Sequence, residues 1–241
     1  MKHKKHVCLI LVLTFVFYTK AQEKQTHYSS WNTINFSKKI NNNWFVNTEF
    51  NLRRTNFLKS WEQFIVRPFV HYRISSNLDI AFGYSFIKNY NYSTYSIPID
   101  VVENNIFQQL TTKQKFSRFS FIHRFRLEER FIGKVIENDF NSYSLKGNNY
   151  KNRFRYKFQI LVPIKFNASH KIHVVVYDEV HLDLENGLKP KNLDQNWMFL
   201  GVSFNANNHI NIKTGYHEIH AYRTNFLINN KIWETTITYN L

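Results

Sequence analysis

Ten residues in the middle of the chain have the types and spacing to do ionic chemistry. They are Glu103, then Arg124, Arg126, Glu128 and Arg130, then Arg153 and Arg155, and finally Glu179, His181 and Asp183. Within each group the spacing is two residues, so on an extended chain each group projects from one face. A guanidinium offers a planar fork of N–H donors that matches a carboxylate in a bidentate bond, strongest where water is scarce. Three uses of such a set are open. It is a structural ladder filling a narrow interior, a constriction selecting small anions, or a binding site for an acidic ligand.

Nucleophilic and metal chemistry have weaker candidates. A lipid hydrolase needs Ser, His and an orienting third group. His27 and Ser29 stand near one another, as do His123 and Ser120, without a recognisable elbow or a clear third member. His170, His173, His181, His209, His217 and His220 raise the question of a metal. His217 and His220 are three apart, so on a strand they point to opposite faces, and surface histidines are the simpler reading. The expectation is a non-enzymatic protein with no catalytic residues, no metal and no cofactor.

The elements that must position the ionic groups are β-strands. Phe116–Phe131 reads FSRFSFIHRFRLEERF: Phe119, Phe121, His123, Phe125 and Leu127 on one face, Ser120, Ile122, Arg124, Arg126, Glu128 and Arg130 on the other. The alternation lasts longer than a soluble strand of about 5–6 residues and long enough for the roughly 9–11 tilted residues that cross a bilayer. The same rhythm recurs from Trp44, from Gln63, from Leu78 after the turn Ser75–Asn77, through Glu103–Thr112, from Tyr150, and then through Ile172–Leu184, Trp197–Asn205, Ile210–Ile219 and Lys231–Leu241. Ser29–Ser37 reads as one further strand. No segment fits a helical template over ten residues.

Connections alternate in length. Ser75–Asn77 and Ala206–Asn208 are short, Lys113–Ser117 and Pro163–Lys171 modest. Lys88–Val102, Ile132–Asn148, Glu185–Asp194 and Ala221–Asn230 read as longer polar loops. Short periplasmic turns and longer outer loops are the outer-membrane pattern. Ten strands start at or after Trp44, and the even-number habit of single-chain bacterial barrels predicts ten or twelve in all. The last strand carries Trp233, Thr235, Ile237, Tyr239 and Leu241 on one face, which resembles the sorting signal of such barrels with Leu in place of the usual Phe.

Lys2, Lys4 and Lys5 precede an apolar run from Val7 to Tyr18, followed by Ala21, which predicts a signal peptide over residues 1–21 and a barrel domain over 22–241. The single cysteine, Cys8, falls in the predicted signal, leaving a mature chain without disulfides. Beyond the four lysines of that segment, 28 basic residues face 17 acidic ones, a net charge of +11. Export, and basic residues that alternate along strands instead of forming a block, argue against nucleic acid. The aromatic content of 17% suits a barrel that carries rings on its outer face and in interfacial girdles.

The set ENNIFQQL at 103–110, HRFRLEERF at 123–131, NRFRYK at 152–157, YDEV at 177–180 and DQNW at 194–197 resembles a domain-of-unknown-function family of exported bacterial proteins, taken to be outer-membrane barrels. In that pattern an Arg commonly follows DQN, where this chain has Trp197. The resemblance covers most of the chain and implies the fold without a mechanism. The expectation is a single antiparallel transmembrane β-barrel in the outer membrane. It would serve as a narrow pore or structural envelope protein with an Arg/Glu-lined lumen. The alternatives are a binding protein for an anionic glycan or lipid head group, a barrel-type lipid hydrolase, or a soluble lipocalin-like protein. Expected partners are outer-membrane lipid and lipopolysaccharide, the barrel assembly machinery and a small anionic solute.

Overall fold

The computed structural model describes residues 23–56, 58–138, 142–167, 170–185 and 188–241. The predicted signal segment and its Cys8 lie outside the described residues. The described chain is all-β, with eleven strands: β1 (Glu23–Lys39), β2 (Trp44–Thr55), β3 (Ser60–Ser75), β4 (Leu78–Asn89), β5 (Val101–Phe116), β6 (Phe119–Glu137), β7 (Tyr143–Asn167), β8 (His170–Glu185), β9 (Lys189–Asn205), β10 (Ile210–Tyr222) and β11 (Phe226–Asn240).

Each strand pairs antiparallel with its sequence neighbour, and the sheet closes by pairing β1 with β11 in parallel. Eleven strands force this closure. With antiparallel hairpins throughout, strands 1 and 11 run in the same direction, so their ladder is of the parallel, slanted type. The expected even count therefore fails. The barrel is mixed, and residues 23 and 241 emerge at opposite ends. The predicted Ser29–Ser37 strand is the middle of β1, a full member of the wall.

One end holds the short turns 40–43, 76–77, 117–118 and 206–209, and the other holds 56–59, 90–100 and 223–225. Much of what reads as loop is strand. β6 runs on to Glu137 and β7 starts at Tyr143, so most of Ile132–Asn148 is a hairpin extension; β9 starts at Lys189 and β11 at Phe226. Only the 90–100 connection remains a long loop among those described. The start of β7 and Lys189–Leu193 are exposed on both faces and so carry no alternation to read, whereas Phe226–Asn230 is half-buried to buried on both.

The faces follow the alternation. Phe125, Leu127, Phe82, Leu200 and Trp233 point outward, Phe82 and Leu200 being more than half exposed. Arg126, Glu128, Arg155 and Glu179 point inward and are buried. Outward rings ladder across strands: Phe121 stacks on Phe158 with centroids 6.1 Å apart, and Phe125 on Tyr156 at 5.0 Å. Inside, Gly83 makes room for Phe107, its ladder partner, whose ring lies where a Cβ on Gly83 would stand.

Candidate functional site

The interior is crossed by a chain of ion pairs on neighbouring strands. Glu128 on β6 accepts from Arg153 Nη2 at 2.6 Å and from Arg155 Nη1 at 3.0 Å, both on β7. Arg155 reaches on to Glu179 of β8 at 2.7 Å, and Arg124 meets the same carboxylate with contacts of 2.7 and 2.8 Å. Arg130 grips Glu103 of β5 through Nε and Nη2, at 2.7 and 2.9 Å. Arg126 lies 3.8 Å from Glu128, gives Nε and Nη2 to Gln109, and sits over the Phe107 ring at 4.2 Å. Antiparallel registry places these groups opposite one another: Glu128 faces Arg153, and Arg155 faces His181.

Seven of the ten residues singled out by sequence thus meet in one network, and Glu103 and Arg130 form a separate pair beside it. His181 joins it at 3.6 Å from Glu179, its ring 4.5 Å from that of Trp197. Asp183 belongs to neither. It lies half-buried opposite Arg153, and no cation of the described residues comes within ion-pair distance of it.

The network is larger than the sequence reading. Arg67 pairs with Glu49 at 3.0 Å, Lys213 with Glu234 at 2.6 Å, and Asp194 bridges Arg153 and Arg223 at 3.4 and 3.1 Å. His217 is not a surface histidine. It is fully buried, with Nδ1 2.6 Å from Glu234 and its ring edge-on to Trp31 and Trp197. His220 faces outward beside Glu218, as a three-residue spacing requires. The legible signal for Glu49, Arg53, Lys157 and Glu234 was strand parity, since each alternates with the outward residues of its strand.

Trp197 takes the place where the resembled pattern has Arg, and it points inward. Its ring lies 5.4 Å from Trp31, and the guanidinium carbons of Arg155 and Arg53 stand 5.0 and 5.6 Å from its centre. A cation over an indole face is held by the ring quadrupole, so the ring stays part of the network as an acceptor of cations.

Two cavities flank this network. A central one of about 180 Å³ is lined by seven cations, among them Arg53, Arg126 and Lys157, against three carboxylates, Glu49, Glu179 and Glu234. Among the described residues no carboxylate comes within 4.0 Å of Arg53 or Lys157. A second cavity of about 310 Å³ opens toward the 90–100 loop. That loop folds over the mouth: Tyr92 and Tyr95 pack on His27 with ring centroids 5.5 and 5.7 Å apart. Burial pushes the Tyr92 phenol above its usual range, with Glu62 adding to the shift.

The hydrolase pairs are placed as follows. His27 and Ser29 are both buried inside the barrel, His27 4.0 Å from Glu62. His123 lies on the outer face, its Nδ1 2.9 Å from the Tyr156 hydroxyl, and Ser120 has the opposite parity. Among the described residues no group of three metal-ligating side chains forms.

No curated protein and no solved structure matches this chain. Residues 28–230 match a family described as Protein of unknown function (DUF2490), from β1 into β11. The five motifs that carried the resemblance fall on the consecutive strands β5 to β9, which hold most of the ionic network. The chain belongs to the DUF2490 family, and over the matched residues it forms a closed β-barrel.

Proposed function

We propose that this protein is a non-enzymatic outer-membrane barrel whose interior is a narrow, anion-selective constriction. The membrane reading is supported by the outer face. Outward polar groups bond to one another at one level: Asn196 donates to Asp178 at 3.1 Å, Asn229 to Glu218 at 2.9 Å, and the Tyr150 hydroxyl to Glu129 at 3.3 Å. Glu129, Asp178, Asn196 and Glu218 lie eight to ten residues from the short-turn end of their strands. At about 3.3 Å per residue and ~40° of tilt that is roughly 20–26 Å, against an apolar band of about 25 Å. At the turn end Trp44 packs on Tyr72 and Phe36 on Tyr239, as an interfacial girdle does.

The observation that carries anion selectivity is the excess of seven cations over three carboxylates around the central cavity. Buried charge is costly unless compensated, so unpaired cations in a narrow interior favour a mobile anion as the missing partner. At about 180 Å³ the space suits a small inorganic or carboxylate anion, being below the usual range of organic-ligand pockets. Lys157 is the position to test, because it makes no ion pair among the described residues and its loss leaves the ladder whole. Planar-bilayer recording across a KCl gradient should give an anion-selective reversal potential, moved toward zero by Lys157→Gln with the barrel intact. A folded barrel that never conducts would leave the ionic ladder with a structural role alone.

A further inference from the structure

We propose that the cavity beneath the 90–100 loop is a binding site for a medium-chain aliphatic carboxylate, with its head on Arg53. This site stands whether or not the central cavity passes ions. The interior of this barrel is polar at mid-height, whereas near the loop aliphatic side chains interleave with polar ones such as Glu62, Asn89 and Asn230. Ile65, Ile87, Val101, Ile219, Ala221 and Ile228 all line the cavity and are buried, and they come from five different strands. The ring of Tyr95 packs against part of this wall, and Tyr92 and Ile97 complete the roof.

The floor is cationic. The guanidinium carbon of Arg53 lies 3.5 Å from the centre of the Trp31 ring. Its Nε donates to Asn51 at 3.3 Å and its Nη1 to Gln63, and Nη2 donates to none of the described residues. The other arginines here already hold a carboxylate: Arg67 has Glu49, Arg130 has Glu103, Arg153 has Glu128, Arg155 has Glu179, and Arg223 has Asp194. Glu62, the acid nearest the Arg53 side of the floor, is engaged by Trp31 Nε1 at 3.0 Å through one oxygen and by Asn230 at 3.0 Å through the other. A planar fork with a spare nitrogen, on an aromatic face and below an aliphatic wall, fits one carboxylate on a hydrocarbon chain. The cavity, about 310 Å³, reaches the lower end of the range for ligand pockets and holds a single chain, not a two-chain lipid.

Tryptophan fluorescence tests this directly. Of the five tryptophans, Trp31 and Trp197 line the cavity, and Trp44, Trp61 and Trp233 are exposed on the outside. In a Trp44→Phe, Trp61→Phe, Trp233→Phe variant of the full barrel, 11-bromoundecanoate should quench the remaining emission saturably. Its alcohol analogue, 11-bromo-1-undecanol, should need at least tenfold more. Arg53→Gln should remove that preference for the acid, and Ala221→Phe, which fills the wall, should abolish saturable quenching while leaving Arg53 in place. Equal quenching by acid and alcohol would overturn the proposal. So would saturable quenching by the acid that survives Ala221→Phe, an outcome readable even if Arg53→Gln fails to fold.

Discussion

Glu128 and Arg153 face each other across the β6–β7 ladder, and their side chains close to 2.6 Å with the carboxylate almost wholly buried. The same carboxylate also takes Arg155 and lies 3.8 Å from Arg126, so one acid on β6 is shared among three guanidinium groups. No other acid in the interior carries that load among the described residues.

Glu128→Gln keeps the shape and removes the charge, leaving Arg153 with Asp194 at 3.4 Å and Arg155 with Glu179. Breaking one side of a buried pair costs about 3–5 kcal/mol, chiefly from the charge left behind. The expected outcome is a large drop in the urea midpoint of the refolded barrel and a lower temperature for its heat-dependent gel shift. Arg126→Met added to Glu128→Gln should recover part of the loss, because Arg126 has no other carboxylate partner among the described residues and is the cation left orphaned. No recovery would mean that the packing of the glutamate, not its charge, is what matters.

Packing is tested at Gly83. The ring of Phe107 fills the place of a Cβ there and also supports the Arg126 guanidinium at 4.2 Å. Gly83→Val should push the ring away at a cost of about 1–3 kcal/mol, typical of an overpacked interior. Shortening the ring in the double variant Gly83→Ala, Phe107→Leu should restore the part of the stability lost in Gly83→Ala that comes from the ring, the rest coming from the Phe69 Cβ on the other side. Urea unfolding of the four proteins gives a coupling energy between the two positions. A coupling near zero would show that the crowding is set by the backbone and the Phe69 Cβ instead of by the ring.

The period-two pattern was enough to locate the wall and the network. In Phe116–Phe131 it separates four outward apolar residues and His123 from the arginines and Glu128, because burial of one strand face is written directly in alternate residues. What it could not show has a physical reason in each case. Lys157, Arg53 and Glu234 lie on the right face but on three different strands, β7, β2 and β11, and only barrel closure brings them to one cavity. The apolar vestibule wall is assembled from single residues near the ends of separate strands. The Ile132–Asn148 hairpin extension has no dry face, so it carries no alternation to read.

The parallel seam is the feature least visible in sequence, since it joins residues about 200 positions apart with no local turn between them. Its register sets Asn32 opposite Thr235 and Thr33 opposite Thr236. On the other side of β11, Thr235 is 3.0 Å from the Thr214 hydroxyl, so β11 is anchored to β10 while its free edge receives β1. Paired Cα atoms across a ladder sit within the 4.4–6.8 Å that a disulfide spans, whereas partners shifted by two residues are about 8 Å apart and fall outside it. In a Cys8→Ser background, Asn32→Cys with Thr235→Cys should therefore oxidise to an intramolecular bond under mild conditions. The boiled, non-reduced protein should then migrate faster than the reduced form. Asn32→Cys with Ile237→Cys should leave both thiols open to a maleimide-polyethylene glycol label. If β1 were outside the wall and ten strands closed without it, both pairs would be labelled alike, and the odd-numbered barrel would be wrong.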